Sequence, residues 1–148
     1  MPALTPEEFN TLMQSPTIAR LAMTKPNGAP YVVPIWQHWD GQSAYVIPRG
    51  KAKFMAYIEA NSRVALSIAD DVNASHDRVL LEGVAHIEQG PAPMTNKMLR
   101  LAEEMAERYG GDEGLVYLKN TLAHPRYLVR IEPEAITTWK GAWHPRYA

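Results

Sequence analysis

Cysteine is absent from this 148-residue sequence, which removes disulfide frameworks, thiolate metal sites and cysteine nucleophiles together. An excess of one charge is missing too. Against 15 Lys and Arg stand 16 Asp and Glu, for a formal net charge of -1. That balance argues against a duplex-binding protein, although a local basic patch is still allowed. No apolar run approaches the ~20 residues that cross a bilayer as a helix. Met1 to Glu8 carries Pro, Thr and two acids where a signal peptide has cations and then an apolar stretch. The nucleotide patterns GxGxxG and GxxxxGKS/T do not occur, nor do GxSxG, HExxH or an EF-hand loop. The His residues, at 38, 76, 86, 124 and 144, form no i, i+4 pair that would hold a metal on a helix, so no metal site is expected. What is present is an ordinary balance of 46% hydrophobic and 21% charged residues. A domain of about 150 residues buries roughly two-thirds of its unfolded surface. The expectation is one cytoplasmic domain over residues 1–148, with no nucleic acid or membrane as partner.

Periodicity outlines the elements. Thr5-Pro6-Glu7-Glu8 has the order of a capping box with Pro at the first helical position, and Phe9, Leu12 and Met13 continue it as an apolar stripe that stops at Ser15-Pro16. From Thr17 the period becomes two, with Ala19, Leu21 and Met23 on one face, and Lys25-Pro26-Asn27-Gly28 predicts a turn. Strands are expected over Tyr31–Trp39 and Ser43–Ile47 with a turn at Asp40-Gly41, the three forming an antiparallel meander. A helix follows over Lys51–Ala60, then a strand over Arg63–Ala69 and a polar loop. Arg78–Gln89 reads as a long strand that Gly83 bends and Gly90-Pro91 ends. Met98, Leu101, Met105 and Tyr109 stripe a helix, read as core or interface, that ends at Gly110-Gly111. A short helix at Leu115–Leu122 precedes two strands, Tyr127–Ile131 and Ala135–Lys140, divided at Glu132-Pro133. The sum is mainly β: about seven antiparallel strands in a bent sheet or small barrel, with short helices at its edges.

Three clusters carry possible chemistry. Arg49-Gly50-Lys51-Ala52-Lys53 puts three cations where the expected helix begins. Free backbone N–H groups and cations together bind phosphate, although a solvated basic turn has the same composition. Gly50 would let backbone approach an anion closely. In Val32-Val33-Pro34-Ile35-Trp36, Pro cannot donate to a sheet ladder, so this strand lies at an edge or is interrupted. It either receives a flat ring beside Ile35 and Trp36 or is an ordinary covered edge. The tail from Trp139 to Tyr147 holds two Trp, a Tyr, a His and two cations. Such aromatics cap a core, line a ligand pocket or seat in a partner subunit.

The order and spacing of these segments is similar to a known family. The residues are Ile18-Ala19-Arg20-Leu21-Ala22, Asn27 to Trp36, Trp39-Asp40-Gly41, Pro48 to Lys53, Asn61 to Leu66, Leu81-Glu82-Gly83, and the closing Trp139 with Trp143-His144-Pro145-Arg146-Tyr147. Together they resemble the pyridoxamine 5'-phosphate oxidase-like, FMN-binding split β-barrel family, in its short flavin/deazaflavin oxidoreductase branch, over Thr5 to Tyr147. The resemblance implies a homodimer with two cofactor clefts at the subunit interface. It implies FMN, or alternatively a deazaflavin coenzyme of the 8-hydroxy-5-deazaflavin type, with the phosphate held by Arg49, Lys51 and Lys53. Val33, Pro34, Ile35 and Trp36 would run beside the ring and Ile47 and Pro48 would flank the ribityl chain. Trp139, Trp143 and His144 would reach the cleft of either subunit. Ser62 stands where the family commonly has Pro.

The function expected is an oxidoreductase that exchanges hydride with a small organic substrate. No catalytic residue is assigned, although His144 is a candidate proton donor. The alternatives are a non-enzymatic flavin or haem binder or sensor, with His38, His86 or His144 as an axial ligand, and a dimeric scaffold with an empty cleft.

Overall fold

The computed structural model describes residues 2–141. The first helix, α1 (Pro6–Met13), starts as the capping box requires: the Glu8 amide donates to Thr5 Oγ1 at 3.2 Å and the Thr5 amide to Glu8 Oε1 at 3.0 Å. Leu12 and Met13 turn inward from it. Strands β1 (Ala19–Thr24) and β2 (Pro30–Ile35) then form a hairpin, with Ala19, Leu21 and Met23 buried on one face as the alternation predicts.

The remaining elements are β3 (His38–Trp39), β4 (Ala44–Val46), α2 (Phe54–Ala60), β5 (Arg63–Ala69), β6 (Arg78–Ala92), α3 (Asn96–Asn120) and β7 (Arg126–Trp139). All pairings are antiparallel, in the order β2-β1-β5-β6-β7-β4-β3. The expected meander of the first three strands is therefore corrected. β2 pairs only with β1, whereas β3 and β4 lie at the opposite side of the sheet against β7. Pro34 explains the change. It sits on an outer strand opposite Arg20, and its missing N–H leaves nothing to extend the ladder there.

This order imposes a shape. β2 and β3 are the two outermost strands, yet only Trp36 and Gln37 separate them in sequence. Three residue steps reach at most ~11 Å, while the outer strands of a flat seven-stranded sheet lie ~29 Å apart at ~4.8 Å per strand. The sheet must roll until its edges nearly meet, giving a barrel left open between β2 and β3.

Two long strands make the roll. β6 continues through Gly90-Pro91 to Ala92, where the sequence reading ended it, because register shifts near Gln89 absorb the interruption. β7 likewise runs unbroken through Glu132-Pro133, replacing the two strands expected. Its partner register steps from Glu82↔Ala135 to Gly83↔Pro133, so Glu134 is the extra residue of a bulge. A Cβ at Gly83 would lie 2.0 Å from the Glu132 carbonyl oxygen, so only glycine permits this crossing.

Side chains facing the barrel interior, among them Leu21, Leu66, Ile68, Leu81 and Ile131, form one apolar core. A second lies outside the barrel wall, where Met98, Leu101 and Met105 of α3 pack on Tyr45 and Leu128. The Met stripe is thus core, as the periodicity suggests. Gly111 (φ 57°, ψ -142°) breaks α3 into two helical segments, which matches the two helices expected on either side of Gly110-Gly111. Among the described residues, no helix is long and apolar enough to cross a membrane.

Replacing Gly83 by Ala forces a methyl group onto the β7 backbone. The Gly83→Ala variant should lose about 2 kcal/mol of stability, the usual cost of overpacking, seen as a lower urea midpoint at unchanged slope.

Candidate functional site

Where the barrel stays open, a cavity of about 260 Å³ lies between β2, the end of β4 and both segments of α3. Pro34, Ile35 and Trp36 form one wall, Ile47 another, and Ala102, Met105, Tyr117 and Leu118 the helical side, with Met94 just ahead of α3 and Arg126 at the start of β7. The sequence-derived residues Pro34, Ile35, Trp36 and Ile47 are thus brought together. Val33 does not line it: with Tyr31 and Ile35 on the same face of β2 it packs on the barrel core, and only Ile35, at the strand's end, also reaches the cavity.

The connector between the outer strands is held tightly. The Trp36 ring stacks on Tyr109 with centroids 5.3 Å apart and planes 2° from parallel. Tyr109 Oη donates to the Thr17 carbonyl at 3.1 Å and accepts from the Gln37 amide at 3.3 Å. Gln37 is fully buried and its Nε2 donates to the Met13 carbonyl at 2.9 Å. Arg108 donates to the same Met13 oxygen and to the Gln37 carbonyl. The Trp36 wall is therefore rigid, fixed by α3 from behind.

From β4 the chain passes through Ile47 and the buried Pro48 into the basic turn. The Gly50 amide donates to the Pro125 carbonyl at 2.8 Å, and the Tyr127 amide to the Pro48 carbonyl at 2.9 Å. A Cβ on Gly50 would lie 3.1 Å from that Pro125 oxygen, so Gly50 serves a close approach to Pro125 instead of to an anion. This clamp also delays the helix. α2 begins at Phe54 and not at Lys51, because Gly50 is tied to Pro125 and the Ala52 amide to the Arg49 carbonyl at 3.0 Å. Arg49, Lys51 and Lys53 consequently stand exposed ahead of the helix, and among the described residues no carboxylate lies within 4 Å of them. The Lys51 and Lys53 amides also find no acceptor there. Arg49 and Lys51 line a second concavity with Pro91, His124 and Pro125, which Arg49 joins to the first through Tyr117.

The two regions meet at Tyr117. Arg49 Nη2 donates to its hydroxyl at 2.5 Å and Arg126 Nη2 at 3.4 Å. Arg126 also donates to Thr121 Oγ1 at 3.2 Å and is only 8% exposed. The hydrogen bond from Arg126, followed by that from Arg49, holds the Tyr117 phenol below its ordinary pKa against the opposing effect of burial. Tyr117 and Arg126 escaped the sequence reading. Arg126 had one legible sign, since it stands two residues before Leu128 on the same buried face of β7, where an apolar residue is the norm. Tyr117 had none, because its partners lie 68 and 9 residues away in sequence.

Trp139 lies elsewhere. It ends β7 opposite Arg78, whose guanidinium sits 5.7 Å from the indole ring, 13 residues along the strand from Arg126. Trp143 and His144 are outside the described residues. His38 faces Glu104 at 3.3 Å, with its pKa lowered by burial and partly restored by that carboxylate, and His86 contacts Glu132 at 2.8 Å.

An outer-edge Pro, a barrel opened at a two-residue connector and a basic turn beside the opening define a split-barrel protein. The pyridoxamine 5'-phosphate oxidase family profile matches residues 5–140, and the chain belongs to that family. Its fold is mainly β, the split barrel. Similar solved structures include an F420 reductase, with TM-score 0.67 and 24% identity over 89% of this chain and 98% of that one. A conserved hypothetical protein from Mycobacterium tuberculosis gives TM-score 0.75 and 22% identity over 93% and 85%. The heme storage protein HutZ from Vibrio cholerae gives TM-score 0.68 and 20% identity over 94% and 98%. At these identities the likeness is one of fold. No curated protein matches the sequence.

Because its folded-state pKa is depressed, Tyr117 adds stability that is complete above the ordinary phenol value of 10.0 and is lost as pH falls through the lower folded value. An ultraviolet difference titration should find Tyr117 ionising below 10.0. In Tyr117→Phe that step, and the matching alkaline rise in stability, should disappear.

Proposed function

We propose that this chain is a cytoplasmic oxidoreductase of one split-barrel domain, homodimeric, that binds FMN or a deazaflavin coenzyme and acts on a small organic substrate. The observation that carries this reading is the adjacency of two complementary surfaces: a basic turn without carboxylate partners, and an apolar cavity walled by a Pro-interrupted edge strand. A coenzyme with a phosphate at one end and a flat ring at the other fits that pair. The family membership and the likeness to an F420 reductase agree with it.

Arg49, Lys51 and Lys53 hold the phosphate, helped by the unpaired Lys51 and Lys53 amides. Those backbone groups of Val33 to Trp36 that face away from β1 orient the ring, unpaired because β2 is an outer strand. Ile47 and Pro48 border the chain between ring and phosphate. Trp139, with Trp143 and His144, serves the partner's cleft in this reading, since it lies far from the cavity of its own chain. When bound, the coenzyme supplies or accepts hydride. The protein positions it and, through Trp36 and the helical wall, excludes water.

Fluorescence titration with FMN and with the deazaflavin coenzyme tests this. One of them should bind saturably, and Lys51→Ala/Lys53→Ala should weaken it about tenfold or more, since hydrogen bonds to charged groups contribute ~1.5–3 kcal/mol when fully formed. Equal affinity in the double variant removes the clamp. A Soret band on the purified protein would replace the reading with haem binding.

A further inference from the structure

Among the described residues, Arg126 is the one buried charged side chain. It lines the cavity and is 92% buried by its 8% exposure, yet among the described residues no carboxylate lies within 4 Å of it. Its protein partners are two hydroxyls, on Tyr117 and Thr121, and its Nε has no partner. A buried cation without a counter-charge is costly, so it marks a place where an anion is expected.

Tyr117 sharpens the chemistry. Its oxygen accepts from Arg49 and from Arg126, which uses the acceptor capacity of a phenol, while its own O–H has no acceptor among the described residues. This end of the cavity therefore offers only donors, and a ligand seated there must bring acceptors. The other walls, Pro34 to Trp36, Ile47 and Met105, are apolar.

We propose that this cavity seats a small monocarboxylic acid, with its apolar body between Trp36, Ile47 and Met105 and its carboxylate on Arg126 and Tyr117. Arg126 Nη1, which has no partner among the described residues and, unlike Nε, is not inaccessible, and the Tyr117 hydroxyl match the two oxygens of a carboxylate. A cavity of about 260 Å³ suits a compact acid, being near the lower end of small-molecule sites. A phosphate has its own seat outside, at Lys51 and Lys53. The acid takes the walls that the reading above gives the coenzyme ring, so the two exclude one another, and acid binding does not rest on that reading.

Calorimetry on the purified protein tests this with 3-phenylpropionate, its neutral amide and phenyl phosphate. The acid should bind saturably, one per chain, and at least tenfold more tightly than the amide. Arg126→Gln should lose at least tenfold, and Tyr117→Phe, at a position 39% exposed, should lose several-fold. Absence of acid binding, equal affinity for acid and amide, unchanged affinity in Tyr117→Phe, or tighter binding of phenyl phosphate each overturns the proposal. The amide comparison and Tyr117→Phe keep it testable if Arg126→Gln does not fold. Parallel coenzyme titrations separate the two readings: acid binding without coenzyme keeps the pocket and loses the cofactor, and coenzyme binding without acid does the reverse.

Discussion

Trp36 and Gln37 join the two outer strands of a seven-stranded sheet, and a two-residue span leaves that sheet no choice but to roll. Closure stops short because Pro34 stands on one of the edges and lacks the donor that further pairing would need. The opening beside β2 is a direct product of those two facts, and the candidate site lies in it. Hydrogen bonds from Gln37 and Arg108 to Met13, from Arg108 to the Gln37 carbonyl and from the Gln37 amide to Tyr109 Oη meet at the connector, so the opening is supported from the α1 and α3 sides at once.

The long strands transmit this arrangement. β7 carries Arg126 at the mouth of the opening and Trp139 at the other end, and the bulge at Glu134 bends it between them. β6 bends in concert at Gly83, whose hydrogen leaves room for the β7 backbone. α3 then folds across the opening, broken at Gly111 so that its second segment presents Tyr117 and Leu118 to the same cavity that its first segment lines with Ala102 and Met105.

Charge is distributed unevenly around this frame. Four cations are paired, Arg63 with Glu134, Arg130 with Glu88, Lys97 with Glu88 and Lys140 with Glu8, whereas Arg20, Lys25, Arg78, Arg100, Arg108 and Lys119 have no carboxylate within 4 Å among the described residues. Arg49, Lys51, Lys53 and Arg126 share one side of the molecule without carboxylates within 4 Å among the described residues. Exposed ion pairs contribute little, so their absence at the turn costs little as well. At the buried Arg126 the same absence is expensive, which separates a surface suited to a phosphate from a pocket that wants an anion of its own.

Local rules were enough for much of this molecule. Thr5 to Glu8 capped a helix, Val64, Leu66 and Ile68 alternated into a strand, and Gly110-Gly111 divided two helices, because each of these depends on neighbours a few residues apart. The basic turn and the Pro-broken edge were legible in the same way, and the family resemblance joined them to a ligand. What only the tertiary structure decided was pairing over distance. The sequence could not show that β4 would leave β2 for β7, that Glu132-Pro133 would be a bulge inside one strand, or that Gly50 would be spent on Pro125. Nor could it bring Arg49, Tyr117 and Arg126 to one hydroxyl, since that meeting depends on the rolled sheet and the broken helix together.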